Sequence, residues 1–264
     1  MKLTIIGAGN MGGAIAKGLS RGQLVQAKDI TCTAKTQATL DGLRQFNGDF
    51  QLLQDNGAAV KGADIVVLAV KPWKMEEVIA EIRPNLELNR QLIVSIAAGI
   101  DFATLEQMLT AGSGESVDGL FRVIPNTAIE VKSSMTFVAA HRACDESIDL
   151  ILSLFNELGS ALLVEESQMT ACTALASCGI AFALRYIRAS MEGGIELGIP
   201  AAKSQEIVAQ TVIGAAKLLL EKQSHPEIEI DKVTTPGGIT IKGLNELEHA
   251  GFTSAVIRSL KACK

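Results

Sequence analysis

The chain is poor in aromatic residues, in cysteine motifs and in clustered charge. Aromatic residues make up 4% of its 264 residues and hydrophobic residues 48%, so we expect a mainly aliphatic core. The five cysteines are odd in number and form no Cys-x-x-Cys pair, which argues against a disulfide framework and a zinc site. The net charge is −5 and lysine and arginine form no blocks, so nucleic acid is not an expected partner.

The sequence also offers little sign of a targeting or membrane-spanning segment. A strand-like pattern begins at Lys2, which leaves no room for the basic and apolar regions of a signal peptide. The apolar stretch from Met169 to Leu184 has 16 residues and contains three hydroxyl side chains. A spanning helix needs ~20 apolar residues, so this stretch favours a buried helix instead. We therefore predict a cytoplasmic protein without a membrane partner.

A glycine-rich turn follows the first apolar segment. Leu3 to Ile6 reads as a short strand, and Ala14 to Leu19 reads as a helical run. Between them stands the motif Gly7-Ala8-Gly9-Asn10-Met11-Gly12. In a dinucleotide-binding fold the first glycine makes the tight turn, the second lets the pyrophosphate approach the backbone, and the third lets helix and strand pack closely. Strand, turn and helix occur in the required order, so we predict a dinucleotide site.

The end of the second strand bears on the choice of cofactor. This strand is predicted over Asp29 to Ala34, where an NAD-preferring site usually has a carboxylate that binds the ribose 2′-hydroxyl. The chain has Lys35 and Thr36 at that point. A cation and a hydroxyl favour a 2′-phosphate, so NADP(H) is the preferred prediction and NAD(H) stays possible. Lys35 could also be an ordinary solvated lysine of a loop.

The first half alternates strand-like and helix-like stretches, as a doubly wound α/β sheet requires. Ligands of such sheets bind beyond the carboxyl ends of the strands, so the turns there are candidate site segments. Further strands are predicted over Ala63 to Val70, Gln91 to Ile96 and Gly119 to Ile124, followed by the turns Val70 to Pro72, Ser95 to Gly99 and Pro125 to Thr127.

After about Gly159 the pattern becomes helical. Glu165 to Leu197 predicts one long helix, Gly198-Ile199-Pro200 ends it, and Ala201 to Lys222 predicts another. We expect an N-terminal domain over residues 1–160 and an all-helical domain over residues 161–264. The helices carry more apolar surface than about a hundred residues can bury alone, which favours exchange across a homodimer over a compact monomeric bundle.

The segment from Asp231 to Glu248 has the pattern of a helix opening that receives a small anion. Thr235 is a candidate N-cap and Pro236 suits the first helical position. Gly237 and Gly238 would then leave backbone N–H groups uncovered for a carboxylate, and Thr240 adds a hydroxyl. A capped surface helix is the alternative, but two glycines each weaken a helix by roughly 1 kcal/mol, which calls for an offsetting contact.

Several motifs together resemble the pyrroline-5-carboxylate reductase family over essentially the whole chain. They are the Gly7 to Gly12 turn, Ala69-Val70-Lys71-Pro72, Arg122-Val123-Ile124-Pro125-Asn126-Thr127, His225-Pro226, and Val233-Thr234-Thr235-Pro236-Gly237-Gly238-Ile239-Thr240 followed by Gly243-Leu244 and Leu247-Glu248. The family pattern Gly-Ser-Gly-Pro-Ala-Tyr is replaced by Ser177-Cys178-Gly179-Ile180-Ala181-Phe182, which removes a proline as a cause of a helix kink.

The resemblance implies a Rossmann-type sheet followed by a helical dimerisation domain. It implies hydride transfer from NAD(P)H to C5 of 1-pyrroline-5-carboxylate, giving L-proline. By the same resemblance the Gly7 to Gly12 turn holds the pyrophosphate, and Ala69, Val70, Lys71 and Pro72 line the ribose and nicotinamide side. Ala97 and Asn126 lie near the nicotinamide, with Asn126 also a candidate substrate contact. A homodimer, or a larger assembly of dimers, is the implied state.

Thr235, Gly237, Gly238 and Thr240 are implied to hold the substrate carboxylate and ring nitrogen. A protonated cyclic imine is already an electrophile, so the protein mainly has to position it and exclude water. Thr240 and Lys71 are the candidate catalytic residues. A threonine hydroxyl is a poor acid, so the first role of Thr240 is to orient the substrate.

Two other functions stay open on the sequence alone. A related imine or β-hydroxyacid reductase would share the fold, but it typically has a catalytic Lys or Asp on the long helix, and Met169 to Ser190 contains neither. A non-catalytic NADP-binding regulator would need only the first half of the chain. The apparent integrity of the Thr235 to Thr240 segment favours an enzyme.

Overall fold

The computed structural model describes residues 1–111 and 114–263, which divide into two compact units, Met1–Ser177 and Cys178–Lys264. The division falls later in the chain than the 160/161 boundary expected from the sequence. The reason is that a strand follows residue 158 and completes the sheet of the first unit. We describe each unit by itself.

Within the described residues, the first unit contains one eight-stranded sheet of order β3-β2-β1-β4-β5-β6-β7-β8. All neighbouring strands are parallel except β6 and β7, which are antiparallel. The strands are β1 Leu3–Ile6, β2 Ile30–Thr33, β3 Gln51–Leu53, β4 Ile65–Leu68, β5 Leu92–Ser95, β6 Leu120–Ile124, β7 Ser134–His141 and β8 Gly159–Leu163. The predicted doubly wound α/β class is confirmed, although β3, β7 and β8 were not predicted.

Helices cover both faces of this sheet, and two clusters of buried aliphatic side chains fill the space between. The central strands β1 and β4 are buried at every position, which explains their continuous apolar runs. The helices of this unit are α1 Asn10–Leu19, α2 Gln37–Phe46, α3 Asn56–Ala59, α4 Met75–Ile82, α5 Phe102–Thr110, α6 Asp145–Asn156 and α7 Met169–Cys172. A 3₁₀ turn, Glu166–Gln168, precedes α7.

The second unit is helical throughout its described residues, as predicted. Its helices are α8 Gly179–Glu196, α9 Ala201–Lys222, α10 Pro226–Val233, α11 Ile239–His249 and α12 Phe252–Lys261. The predicted bounds of α9 are confirmed, and Gly198 has a φ of +89°, which ends the preceding helix and starts the connection to α9.

The long helix differs from its prediction in two respects. First, a π-helical segment, Thr173–Cys178, interrupts it between α7 and α8. The helix is therefore irregular even though it lacks the proline of the family pattern, because a π-helical segment also bends or kinks a helix. Second, in the expected buried helix only Met169 and Ala174 are buried among residues 169–184, and no described residue of α8 is buried. Residues Glu166–Glu196 are long and apolar enough to cross a membrane by length and composition alone, a test that the core helix of a soluble protein also passes.

Candidate active site

The glycine turn has the backbone geometry that its spacing predicts. Gly7 has a φ of +91°, and a Cβ there would lie 2.7 Å from Val70 Cγ1 and 2.9 Å from Ala69 O. A Cβ on Gly12 would lie 2.5 Å from Gly7 O and 3.0 Å from Ala69 Cβ. Both glycines are thus required by contacts within the protein, the first for the turn and the last for the approach of α1 to the strand ends.

Gly9 differs, because a Cβ there would meet no described atom within 4 Å. It is exposed and forms the N-cap of α1, a helix that no described side chain caps. The first N–H groups of a helix lack intrahelical partners and carry a partial positive charge. The turn is therefore an open, side-chain-free cradle over a helix N-terminus, which fits a pyrophosphate. Ala8 completes this turn, and Asn10 and Met11 are the first residues of α1.

The cradle lies where the chain order of the sheet reverses. β1 lies between β2 and β4, and its end is tied to both neighbours: Ala8 N–H donates to Thr33 O at 2.7 Å, and Ala69 N–H donates to Ile6 O at 2.8 Å. Dinucleotides bind at such switch points, outside the carboxyl ends of the strands. The predicted segments Gly7 to Gly12 and Ala69 to Val70 are therefore brought together.

The residues after β2 have two different surroundings. Thr36 is the N-cap of α2, and its hydroxyl accepts a hydrogen bond from Thr39 N–H at 3.4 Å. Lys35 is exposed, and its charge contributes to lowering the pKa of Glu77. The larger cause of that lowered pKa is Lys74, whose Nζ lies 2.6 Å from Glu77 Oε2. The positive charges of Lys74 and, to a smaller extent, Lys35 therefore both act on Glu77.

The segment after β4 forms the other wall of the cradle. Lys71 precedes a 3₁₀ turn, Pro72–Lys74, and is exposed. Trp73, the only tryptophan of the chain, has 77% of its surface exposed. Its indole is therefore available as a fluorescent reporter close in sequence to Lys71 and Pro72.

Two predicted residues follow β5 and β6. Ala97 is buried, and its N–H donates to Ser95 Oγ at 3.4 Å. Asn126 is also buried; its Oδ1 accepts a hydrogen bond from Ala128 N–H at 3.0 Å, and its N–H donates to Ser134 Oγ at 3.1 Å. Because β5 and β6 are parallel neighbours, the two residues lie at the same edge of the sheet as the glycine turn.

The substrate segment of the second unit is built differently from its prediction. Thr235 is not an N-cap and Pro236 is not helical, because α11 begins only at Ile239. Gly238 N–H donates to Thr235 O at 2.9 Å and Gly237 has a φ of +72°, which is the pattern of a type II turn with proline and glycine at its centre. The Pro-Gly pair thus forms a turn before the helix.

The corrected geometry still leaves an open helix start. Gly238 is the N-cap of α11, and none of the described side chains caps this helix. A Cβ on Gly238 would lie 2.7 Å from Thr235 Oγ1, so the threonine hydroxyl lies directly against this glycine. Thr240 occupies the second helical position. The four predicted residues of this segment therefore surround one uncapped helix N-terminus, where a carboxylate is favoured.

Sequence reasoning missed an ion pair of the first unit. Arg122 and Glu166 form an ion pair with 2.7 Å between Nη1 and Oε1. Forty-four positions separate them in the chain, so no local pattern indicates the pair.

Comparison with known proteins identifies relatives for both parts of the chain. Residues 166–264 match the family model described as pyrroline-5-carboxylate reductase dimerisation. Residues 2–99 match the model described as NADP oxidoreductase, coenzyme F420-dependent. These two matches cover the helical segment and the glycine turn respectively.

Individual relatives match nearly the whole chain. Pyrroline-5-carboxylate reductase 1 of Dictyostelium discoideum is 37% identical over 98% of this chain, which spans about half (48%) of that protein. Pyrroline-5-carboxylate reductase of Methanosarcina acetivorans is 34% identical, with 100% of this chain and 97% of that protein covered. A solved pyrroline-5-carboxylate reductase structure from Coxiella burnetii is 29% identical with a TM-score of 0.89, covering 99% and 95%. The chain therefore belongs to the pyrroline-5-carboxylate reductase family.

Proposed function

We propose that the chain binds NADP(H) and reduces 1-pyrroline-5-carboxylate to L-proline. The family assignment makes it an oxidoreductase that acts on a cyclic imine. The observation that carries the proposal is the open surface of Gly9 at the start of α1. The fold leaves room for a pyrophosphate at this helix start, and no described residue of the chain occupies that space.

The cofactor-binding residues of the proposal are those around the cradle. They are Gly7, Ala8, Gly9, Asn10, Met11, Gly12, Lys35, Thr36, Ala69, Val70, Lys71, Pro72 and Ala97. When bound, NADPH supplies the hydride that the imine carbon receives. Lys35 supports a preference for the 2′-phosphate of NADP(H), since it is an exposed cation just after the end of β2. NAD(H) remains the possible second cofactor.

The substrate-binding residues of the proposal come mainly from the start of α11. The substrate carboxylate would accept hydrogen bonds from backbone N–H groups at the start of this helix. It would lie between Thr235, Gly237, Gly238 and Thr240. Asn126 is the proposed contact from the first unit. Thr240 orients the ring nitrogen through its hydroxyl, and Lys71 is the second candidate catalytic residue. Because the protonated imine is an electrophile, orientation and exclusion of water are the main tasks of these residues.

The apolar surface of the second unit supports self-association. Its dimerisation family and the exposed apolar residues of α8 and α9 favour a homodimer, and we extend the proposal to an assembly of dimers. We also propose a cytoplasmic location, without a nucleic-acid or membrane partner. The exposed apolar faces are then covered by a second copy of the chain.

The decisive experiment measures the loss of NADPH absorbance on mixing the purified full chain with 1-pyrroline-5-carboxylate, with NADH in parallel. We expect oxidation that is faster with NADPH and that Thr240→Ala weakens. A folded protein that binds NADPH but oxidises neither cofactor would exclude the reductase reaction and leave the regulator or another imine as the alternative.

A second arm tests the cradle without turnover. The fluorescence of Trp73 reports NADPH binding, because Trp73 lies on the wall next to Lys71 and Pro72. Gly9→Ala should fold normally yet lose on the order of tenfold or more in NADPH affinity, since its methyl group occupies the open cradle. Gly42→Ala is the matched control, because a Cβ on Gly42 also meets no described atom within 4 Å but lies in α2. Equal affinity in both variants would contradict the proposed pyrophosphate site.

A further inference from the structure

One carboxylate of the first unit joins three separate segments of the chain. Glu166 Oε1 lies 2.7 Å from Nη1 of Arg122, which stands on β6. The same oxygen accepts a hydrogen bond from the N–H of Phe102, the first residue of α5, at 2.7 Å. Glu166 itself begins the 3₁₀ turn that leads into α7. The contact therefore ties a central strand, the start of one helix and the entry to another.

Arg122 depends strongly on this contact. Its side chain is 10% exposed, whereas that of Glu166 is 36% exposed. Within the described part of the chain its Nε has no hydrogen-bond partner, and its Cζ lies 5.9 Å from the centre of the Phe102 ring. Asp101 also interacts electrostatically with Arg122, but Glu166 is the carboxylate that is hydrogen-bonded to it, so loss of Glu166 leaves a buried cation poorly paired.

The tie closes one end of the turn between β5 and α5. This turn contains Ala97 and Ile100, both buried, and Gly99, whose φ is +81°. Its first end is held by the hydrogen bond from Ala97 N–H to Ser95 Oγ. Its second end is held by Glu166 through Phe102 N–H, a group that would otherwise have no partner within α5.

We infer that Glu166 is a positioning residue for hydride transfer. Together with Arg122 it fixes the turn that holds Ala97 beside the nicotinamide. The inference rests on the proposed function, which places Ala97 beside that ring. Glu166 touches neither cofactor nor substrate in this role. Because a displacement of about 1 Å can cost on the order of 100-fold in rate, a loosened turn lowers the rate of the chemical step more than it lowers cofactor affinity.

The test compares Glu166→Gln with Glu106→Gln in the full-length enzyme. Glu106 lies on α5, the helix whose first N–H donates to Glu166, and it makes a similarly short ion pair, 2.6 Å to Arg142. Its two ion-pair partners, Arg142 and His141, lie outside the turn between β5 and α5. We expect Glu166→Gln to lower kcat by on the order of tenfold, with the NADPH dissociation constant, read from Trp73 fluorescence, changed less than about threefold. Glu106→Gln should leave kcat within about twofold of the unaltered enzyme.

An isotope measurement separates positioning from loss of folded protein. With NADPH deuterated at C4 of the nicotinamide, a slower hydride step raises the isotope effect on kcat, whereas a smaller folded fraction leaves it unchanged. We expect the isotope effect to rise in Glu166→Gln and to stay constant in Glu106→Gln. An unchanged isotope effect together with an unchanged kcat per folded molecule would overturn the inference.

A double variant keeps the inference testable if Glu166→Gln does not fold. Arg122→Met with Glu166→Leu removes both charges at once, which proteins tolerate better than an unpaired buried charge. The double variant should therefore fold. Because leucine cannot accept a hydrogen bond from Phe102 N–H, the variant should still show a reduced kcat and a raised isotope effect. Unaltered turnover in the double variant would overturn the inference. If the unaltered chain binds NADPH but does not reduce 1-pyrroline-5-carboxylate, the proposed function is overturned instead.

Discussion

The two units of the chain differ in how they are stabilised. The first unit contains two large clusters of buried side chains around its sheet. In the second unit, Ser204 alone is buried among the described residues 178–263. Several large apolar side chains of the second unit are more than half exposed, including Leu184, Leu197, Leu220, Ile228, Val233, Ile239 and Ile257.

We infer from this difference that the second unit depends on a partner for its stability and that the first does not. Apolar area removed from water is the main favourable term in folding, at about 25 cal/mol per Å². Helices that leave their apolar faces in water lack that term and need a partner to supply it. The stability of the second unit should therefore depend on protein concentration, whereas that of the first should not.

The largest expected effect comes from a charge on the apolar face of the second unit. We expect Leu184→Asp, on α8, to raise the dissociation constant of the dimer by on the order of 100-fold, because a carboxylate would be buried without a partner on association. Sedimentation equilibrium measures it. Leu24→Asp is the control, since Leu24 is also a partly exposed leucine but belongs to the first unit. Equal dissociation constants for both variants would remove the distinction between the units.

A methyl group at the last glycine of the turn should affect the first unit instead. In Gly12→Ala the new Cβ meets Gly7 O and Ala69 Cβ, and backbone atoms cannot move aside cheaply. We expect a loss of about 1 to 3 kcal/mol in unfolding free energy, as for other overpacked sites, together with loss of NADPH binding. Urea denaturation measures the first effect and Trp73 fluorescence the second. The dimer mass should stay the same.

The contact between α8 and α9 provides a smaller test inside the second unit. A Cβ on Gly194 would overlap Ser204 Oγ, and this hydroxyl has no hydrogen-bond partner in the part of the chain that the structure describes. We expect Gly194→Ala to destabilise the protein by about 1 kcal/mol, the overlap outweighing the better helix propensity of alanine. Adding Ser204→Ala should restore most of the loss in a denaturation experiment. A double variant no more stable than Gly194→Ala would show that the hydroxyl is not the cause.

Elements of both units could be predicted where their signals are local. Leu3–Ile6 and Ala201–Lys222 have the predicted bounds, since a continuous apolar run and a 3.6-residue period each specify an element directly. Strand β8 was missed because Gly159 and Ser160 interrupt a short run, and only its pairing with β7 makes it a strand. Propensity alone could not decide it.

The candidate site was predicted unevenly for the same reason. Glycine turns carry their own spacing, so the cradle around Gly9 follows from the motif. The start of α11 was placed too early, because a Thr-Pro pair suits both an N-cap and a type II turn, and only the positive φ of Gly237 distinguishes them. Glu166 was missed because its contacts with Arg122 and Phe102 are distant in sequence and exist only in the folded chain.

The smallest expected effect concerns the start of α5 and depends on pH. Hydrogen bonds from Thr104 lower the pKa of the Asp101 carboxyl, and the charge of Arg122 lowers it further. Because this pKa is lowered in the folded state, the ionised carboxyl stabilises the fold at pH values above its unfolded pKa, near 3.8. This stabilisation is lost as the pH falls through the pKa of the folded state. Asp101→Ala should therefore reduce stability at pH 7, and the difference from the unaltered chain should shrink as the pH falls below about 4. Urea denaturation at pH 7 and at low pH measures it, with Asp145→Ala, in the first turn of α6, as the control for an acidic residue at a helix start. A difference that stays constant with pH would mean that the cap acts through its shape and not through its charge.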